Sequence, residues 1–488
     1  MTDTDTLLAD GRWSARIHTD GWRPAPATRT VTAPATGEVL GEIGLATAAD
    51  VAEAATRADA ARRDWAARTP AERAAVLRRA GDLFERHADE IQGWIVKEAG
   101  SIPPKAATET TIAAAECHEA AALPTHPHGD VLTSNDDHWS FARRRPAGVV
   151  GVIAPFNFPL ILAIRSVAPA LALGNAVLLK PDPRTTVSGG VSIVRVFEEA
   201  GLPAGLLQLL PGGADVGEAV VAAPAVRVVS FTGSTPAGRR VGEAAARHLK
   251  RAHLELGGNN AQVVLPGADL AKAVSAGATG SFLHQGQICM STGRHLVHES
   301  LYEEYVAALA AKADHLPVGD PAAEAVALGP IIDEGQLKRV DGIVAATVEA
   351  GGKLAAGGTF EGLFYRPTVL RDLTPDMPAW REELFGPVAP VLSFSTPDEA
   401  VALVNDSEYA LSVSLLGEVG AAMRIADRID TGKLHINEHT VADEANAPFG
   451  GWRDSGTGSR FGGAQANIEA FTETQWLTVR SDIPDYPF

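Results

Sequence analysis

The sequence predicts an α/β protein in which parallel sheets carry helices on both faces. Three observations predict it. From residue 148 to 256, apolar runs of strand length alternate with helical stretches. The expected strands at 148–154 and 176–180 are continuously apolar, save Lys180 at the end of the second, rather than alternating, the pattern of parallel strands covered on both sides. The composition, 45% hydrophobic and 21% charged over 488 residues, suits a globular chain that buries a large core without crosslinks.

Taken in order, a short polar N-terminus leads to amphipathic helices at 48–68 and 70–100, with Thr69-Pro70 placing a proline at a helix start. A long helix follows at about 104–122, and 124–145 reads as a polar hairpin insertion. Strands are then expected at 148–154, 176–180, 206–210, 227–231 and 251–256, with helices at 159–173, 185–200, 214–222 and 235–248 between them. Residues 147–179 hold a single charge, Arg165, and would be long enough for a membrane helix. Pro155, Pro159 and Pro169 instead divide the stretch into strand, turn (155–158), helix and strand. A second α/β unit begins near 257. Its helices are expected near 269–283, 300–313, 333–350, 397–405 and 419–430, and its strands near 261–265, 390–395, 411–416 and 432–437. The tail, 470–488, reads as extended. With no internal repeat or low-complexity linker, the domains are expected to pack closely.

A net charge of −18 argues against nucleic acid or an anionic membrane as partner. Two cysteines exclude a disulfide framework and fit a reducing compartment. The start, MTDTDTLLADGRW, has no basic segment followed by an apolar one, so a cytoplasmic protein is expected. His126, His128 and His138 match no standard metal spacing, and no metal is expected. Arg143-Arg-Arg145 reads as a solvated or interface cluster.

Chemistry concentrates at Cys289, in the run His284-Gln-Gly-Gln-Ile-Cys-Met-Ser-Thr-Gly293. A thiol among glycines and small polar residues is a candidate nucleophile; Cys117, in an Ala-rich helix, reads as a small buried hydrophobe. Four other segments offer partners. Asn157 in Ala154-Pro-Phe-Asn-Phe-Pro159 either donates its amide to an oxyanion or satisfies a turn. Glu255, between two leucines and before Gly257-Gly258, is either a base raised toward neutrality by burial or a salt-bridged structural carboxylate. Phe231-Thr-Gly-Ser-Thr-Pro-Ala-Gly238 is a strand–turn–helix whose first amides suit a pyrophosphate, or a plain connection. Glu382-Glu-Leu-Phe-Gly-Pro387 sets a carboxylate two residues from an aromatic ring. The GxGxxG dinucleotide fingerprint is absent.

Together these segments resemble the aldehyde dehydrogenase superfamily over about residues 30–480. The runs that carry the resemblance are PFNFP, LLKP, FTGS, LELGGN, GQIC, EELFGPV and Pro448-Phe-Gly-Gly451, and the separation of Glu255 and Cys289 also suits the family. Within it, residues 143–185 and the run GQICMSTGRHLVH look most like benzaldehyde, vanillin and salicylaldehyde dehydrogenases. The resemblance implies an aldehyde dehydrogenase fold. A Rossmann-like doubly wound cofactor domain (1–123 and 146–256, with 437–469 returning to it) would join an α/β catalytic domain (257–436). A small β oligomerisation element (124–145 and 470–488) would make a homodimer or homotetramer.

It further implies NAD(P)-dependent oxidation of an aromatic aldehyde to the acid through a thiohemiacetal and a thioester. Cys289 would be the nucleophile, Asn157 with the Cys289 N–H the oxyanion hole, and Glu255 the base for the hydrolytic water. NAD or NADP would lie on Ile153, Ala154, Pro155, Phe156, Lys180, Gly213, Phe231, Gly233, Ser234, Glu383 and Phe385. Phe158, Leu162, Ile288, Met290 and Phe449 would line the substrate slot. Two positions depart from the family. Pro183 stands where many NAD-preferring relatives carry a Glu, with Asp182 one place early, so NADP is open. Phe461-Gly-Gly-Ala464 lacks the acid that relays a proton from the base in relatives. Arg165 is the candidate cation for a second carboxylate. The alternatives are an aliphatic or semialdehyde substrate, a coenzyme A-acylating enzyme, a non-catalytic relative, and a cysteine hydrolase using His284 or His295 as base.

Overall fold

The computed structural model describes residues 6–488. Two seven-stranded sheets organise the chain. In the first, five parallel strands run Val149–Ile153, Ala176–Lys180, Leu207–Leu209, Val226–Thr232 and Arg251–Glu255. Numbered in chain order they lie 5-4-1-2-3 across the sheet. The order reverses between Val149–Ile153 and Val226–Thr232, and a doubly wound sheet opens a ligand crevice beyond the carboxyl ends of strands at such a point. Val149–Ile153 and Ala176–Lys180 are buried at every residue, which is why they read as apolar runs up to Lys180 at the carboxyl edge. Helix Pro159–Ala172 joins them, so the apolar stretch at 147–179 is folded into the core. Among the described residues no helix is long and apolar enough to cross a membrane.

The second sheet has Asn260–Val264 and Thr292–His298 at its centre, flanked by Val388–Phe394 and Ser412–Leu416. Asn260–Val264 starts five residues after Arg251–Glu255 ends, so the carboxyl edge of the first sheet meets the amino edge of the second. A third, three-stranded sheet joins the hairpin strands Gly129–Leu132 and Trp139–Pro146 to the tail strand Thr472–Val479, with Trp476 opposite Ala142.

Several expectations need correction. The helix expected at 70–100 is two, Pro70–Arg86 and Ala88–Ala99, because His87 leaves helical geometry between them. The N-terminus is more than a polar lead: Arg16–His18 and Trp22–Pro24 extend the first sheet, and Ala27–Thr32 pairs with Val39–Leu45. Buried Leu7, Leu8, Trp13 and Ile17 anchor it, with the Trp13 indole donating to the Leu8 carbonyl at 2.9 Å. The helix expected at 185–200 begins with a π-wound turn, Val187–Val191, where the Val187 and Ser188 N–H groups donate to buried Glu98. Strands Thr292–His298, Lys353–Ala356 and Thr368–Arg371 and helix Ala464–Phe471 were not expected.

Candidate active site

Cys289 sits on the turn before strand Thr292–His298, at the amino edge of the second sheet. The Asn260 amide pins that turn, donating to the Cys289 and Ser291 carbonyls at 2.8 Å each. Of the two glycines before Asn259, Gly258 is dictated by backbone and Gly257 by a side chain. A Cβ on Gly258 would lie 2.6 Å from the Cys289 carbonyl, and one on Gly257 would lie 2.2 Å from the Glu383 carboxylate. The Gly258 N–H holds that carboxylate at 3.0 Å.

Asn157 closes the opposite side. It is 3% exposed, and its Nδ2 donates to the Gln287 carbonyl, 2.8 Å away and two residues before the thiol. An amide nitrogen carries two protons, so one remains for another acceptor. No backbone carbonyl or side chain among the described residues takes the Cys289 N–H. Two donors, the second Asn157 Nδ2 proton and the Cys289 N–H, are therefore uncommitted at the cleft that holds the sulfur. The Asn157 loop is held from behind by Lys105, which the sequence did not single out. Its ammonium donates to the Asn157 carbonyl at 2.7 Å, lies 4.2 Å from the centre of the Phe158 ring, and pairs with Glu109. Glu109 in turn accepts the Leu160 N–H at 3.1 Å. Burial works against charge on both members of the pair, pulling Lys105 down and pushing Glu109 up, and the attraction between them opposes it.

Glu255 ends its strand buried. Oε2 accepts the Gly451 N–H at 3.3 Å while Oε1 has no partner. Burial pushes its carboxyl well above the usual range, against the opposing pull of Arg460, Arg165 and Lys433. Burial, with the carboxylates of Glu383 and Glu255 adding to it, pushes the Cys289 thiol up to about 12. A shift in that direction favours the thiol at neutral pH, and only the thiolate reacts with an alkylating agent. Alkylation by iodoacetamide is expected to quicken about tenfold per pH unit from pH 7 to 9. A rate that levels off below pH 9 would show an already acidic thiol instead.

A cleft of about 700 Å³ opens from Cys289 along the carboxyl edge of the first sheet. Ile153, Ala154, Pro155, Phe156, Asn157, Leu162, Lys180, Phe231, Gly233, Ser234, Glu383 and Phe385 all line it. Gly213 does not; it caps helix Ala214–Ala222. Ser234 precedes helix Thr235–Arg247 with its hydroxyl unused as a cap, leaving the first helical N–H groups facing the cleft. These donors, the cleft's place at the reversal of strand order and the Glu383 carboxylate fit an extended nicotinamide dinucleotide. Beside Lys180, both Asp182 oxygens are taken by Arg184, at 2.8 and 2.9 Å. Arg184 also stacks 4.2 Å from the centre of Phe156.

Phe158, Ile288, Met290 and Phe449 gather with Cys289 in one apolar cluster. Arg165 is not the free cation imagined for a second carboxylate, since it is already paired with Glu116 at 3.1 Å and Asp443 at 2.5 Å. Lys433 Nζ also lies 4.9 Å from the centre of the Phe449 ring, a further buried charge that no local pattern marks out. Neither histidine offered as a hydrolase base contacts the sulfur. His284 leaves both ring nitrogens unpaired and its pKa far below 6.5, through burial and then Lys105. His295 is locked between Ser281 and Tyr305, and burial lowers it to about 3.

The sequence pattern of the aldehyde dehydrogenase family matches residues 22–477. The chain belongs to that family. It is 62% identical over 485 residues to a vanillin dehydrogenase of Amycolatopsis sp., covering 99% of this chain and 100% of that one. It is 46% identical over 479 residues to the benzaldehyde dehydrogenase [NAD(+)] of Pseudomonas putida, covering 98% of each. Among solved structures, a salicylaldehyde dehydrogenase from Pseudomonas putida G7 complexed with salicylaldehyde superposes with a TM-score of 0.93 at 34% identity, over 97% of this chain and 99% of that one. As an aldehyde dehydrogenase the chain has a local departure at its C-terminal segment. Phe461 pairs with Phe449 through the backbone, at 2.7 and 3.0 Å, and no acid stands between Phe461 and Ala464.

Proposed function

We propose that this aldehyde dehydrogenase oxidises aromatic aldehydes to carboxylic acids with NAD or NADP. The observation that carries the aromatic reading is the wall beside Cys289: Phe158, Ile288, Met290 and Phe449 suit a flat apolar ring. The vanillin, benzaldehyde and salicylaldehyde named for the relatives support it. A semialdehyde acid is disfavoured because Arg165 already has two carboxylate partners.

The chemistry follows from the placement of the side chains. Cys289 Sγ, once deprotonated, adds to the carbonyl carbon and the carbonyl oxygen becomes an oxyanion. Asn157 Nδ2 and the Cys289 N–H are the donors placed to hold it. A bound oxidised nicotinamide supplies the hydride acceptor and a positive charge that favours the thiolate. Ser234, Lys180 and Glu383 would hold the dinucleotide. Loss of hydride from the tetrahedral carbon leaves a thioester on Sγ. Glu255 takes a proton from water, the hydroxyl displaces the thiolate, and the acid leaves. A retained base at this point supports water as acceptor over coenzyme A. Asp182, beside Lys180, has both oxygens engaged by Arg184 and is not free to repel a ribose 2′-phosphate, which supports use of either cofactor.

We also infer that the chain works as a homodimer or homotetramer through its three-stranded sheet. Trp139 (67% exposed) and Trp476 (71% exposed) lie on it uncovered. Strand Lys433–Ile436 presents an unpaired edge of the second sheet. The free state of both cysteines supports a reducing, cytoplasmic setting.

Reduced-nicotinamide absorbance tests the reading. kcat/KM for benzaldehyde is expected to exceed that for a straight-chain aldehyde of similar size by about tenfold or more. The reverse order would refute the aromatic assignment, and no reduction with any aldehyde would refute the oxidation.

A further inference from the structure

The loop between Phe449 and Phe461 folds back over the strand that carries Glu255. Its two ends pair through the backbone at 2.7 and 3.0 Å. Inside it, Gly456 bridges to Glu255, and the Ser455 carbonyl accepts the Leu256 N–H at 3.0 Å. Arg460 locks the loop. Its Nη1 donates to the Ser459 carbonyl at 2.8 Å and, across the loop, to the Gly451 carbonyl at 3.3 Å. The guanidinium packs against Gly450, where a Cβ would lie 2.5 Å from Nη1. The N–H of the clamped Gly451 is the group that holds Glu255 Oε2, at 3.3 Å, and Oε1 is left without a partner. One hydrogen bond therefore orients the carboxylate, and Arg460 fixes the residue that makes it.

Charge singles out the same side chain. Three cations act on the Glu255 carboxylate: Arg460, Arg165 and Lys433. Arg165 is paired with Glu116 and Asp443, and Lys433 faces Asp443, so these two are largely balanced. Arg460 bonds only to carbonyls among the described residues, which leaves its charge unbalanced. The remaining titratable groups near the base add no net cation. His253, two residues back on the same face of the strand, is lowered to about 4 by burial and then by Arg251, and is neutral. Arg251 itself is paired with Glu473 at 2.6 Å. Cys289 is uncharged while it carries the acyl group. Burial drives the Glu255 carboxyl up, and Arg460 opposes that ahead of the Gly451 N–H, Arg165 and Lys433. Desolvation and an opposite charge compete on such a group, so the unbalanced cation governs how readily it gives up its proton.

We propose that Arg460 is a positioning residue for thioester hydrolysis: it clamps the loop that holds Glu255 and supplies the unbalanced positive charge beside the carboxylate. Arg460 does not line the cleft that opens from Cys289, and hydride transfer does not need it. The step it serves is the second half of the reaction, in which Glu255 takes a proton from water, the hydroxyl adds to the thioester carbon and the thiolate leaves. The inference rests on the reading of Glu255 as the hydrolytic base and adds the residue that holds and charges it.

Rapid mixing with benzaldehyde and NAD, quenched with acid after incubation at a series of pH values, tests it, with the benzoyl group on Cys289 read by intact mass. In the wild type the rate of acyl loss should fall as pH drops through the Glu255 pKa. Removing a positive charge raises that pKa, so in Arg460→Gln the fall should come about one pH unit or more higher. At a fixed pH on that limb, acyl loss should then be about tenfold or more slower. Arg460→Lys keeps the charge and should return the limb to its wild-type position. The hydride burst should keep its wild-type rate in both variants, which a general loosening of the site would not allow. A limb unmoved in folded Arg460→Gln, or a burst slowed as much as acyl loss, would overturn the proposal. If Arg460→Gln does not fold, a limb displaced in Arg460→Lys by about one unit would overturn it too. The reading beneath fails separately: an acid limb that persists in Glu255→Gln would remove Glu255 as the base, whatever Arg460 does.

Discussion

Replacing Cys289 with alanine is expected to abolish aldehyde oxidation, lowering kcat/KM by at least about 10⁴-fold. No other group is placed to take over. Cys117, the second thiol, is buried among the helices of the first core, where burial and Glu116 push its pKa well above 9.0. His284 and His295 are neutral and make no contact with the reaction centre's sulfur. The substitution removes one sulfur from a turn held by backbone and Asn260 contacts. Thermal unfolding should therefore change little, and the dinucleotide should still bind. Turnover retained within tenfold of the wild type would remove Cys289 from the chemistry.

Glu255→Gln is expected to split the reaction in two. The amide oxygen can still accept the Gly451 N–H, and the volume is nearly unchanged, but the side chain no longer takes a proton. One equivalent of reduced nicotinamide per site should appear as a burst, followed by turnover reduced about 10²- to 10⁴-fold. The pH profile gives a second readout. A general base works when deprotonated, and burial raises the Glu255 pKa. The wild-type rate should therefore fall as pH drops through a value above the ordinary carboxylate range, and the Gln variant should lose that acid limb. Loss of the burst together with steady turnover would place Glu255 before hydride transfer as well, as the base for the thiol.

The parts legible in the sequence were those where one physical demand dominates. Strands covered on both faces must be apolar along their covered length, so Val149–Ile153 and the run that ends at Lys180 stood out. Gly257 and Gly258 were visible as a pair because a Cβ there would strike Glu383 or the Cys289 carbonyl. Strand Thr292–His298 was missed because it carries Arg294 and His295 into the interior. Arg294 spends its donors on the carbonyls of Asn259, Leu403 and Val404, and His295 meets Ser281 and Tyr305. Such partners come from distant segments and leave no local pattern. The same holds for Lys105, Glu109 and Glu116, which look like a solvated stripe on an Ala-rich helix until helix Pro159–Ala172 and its leading loop are packed against them. The three-residue N-terminal strands were too short for any period to show.

The most direct test of the account is the intact mass of the Glu255→Gln variant after mixing with benzaldehyde and NAD, followed by peptide mapping. A thioester that forms on Cys289 and lacks its hydrolytic base should persist. The mass is predicted to rise by one benzoyl group, on the peptide that contains Cys289, and hydroxylamine should remove it. A hydride burst with no acyl group on that peptide, or with the acyl group on another residue, would contradict the account.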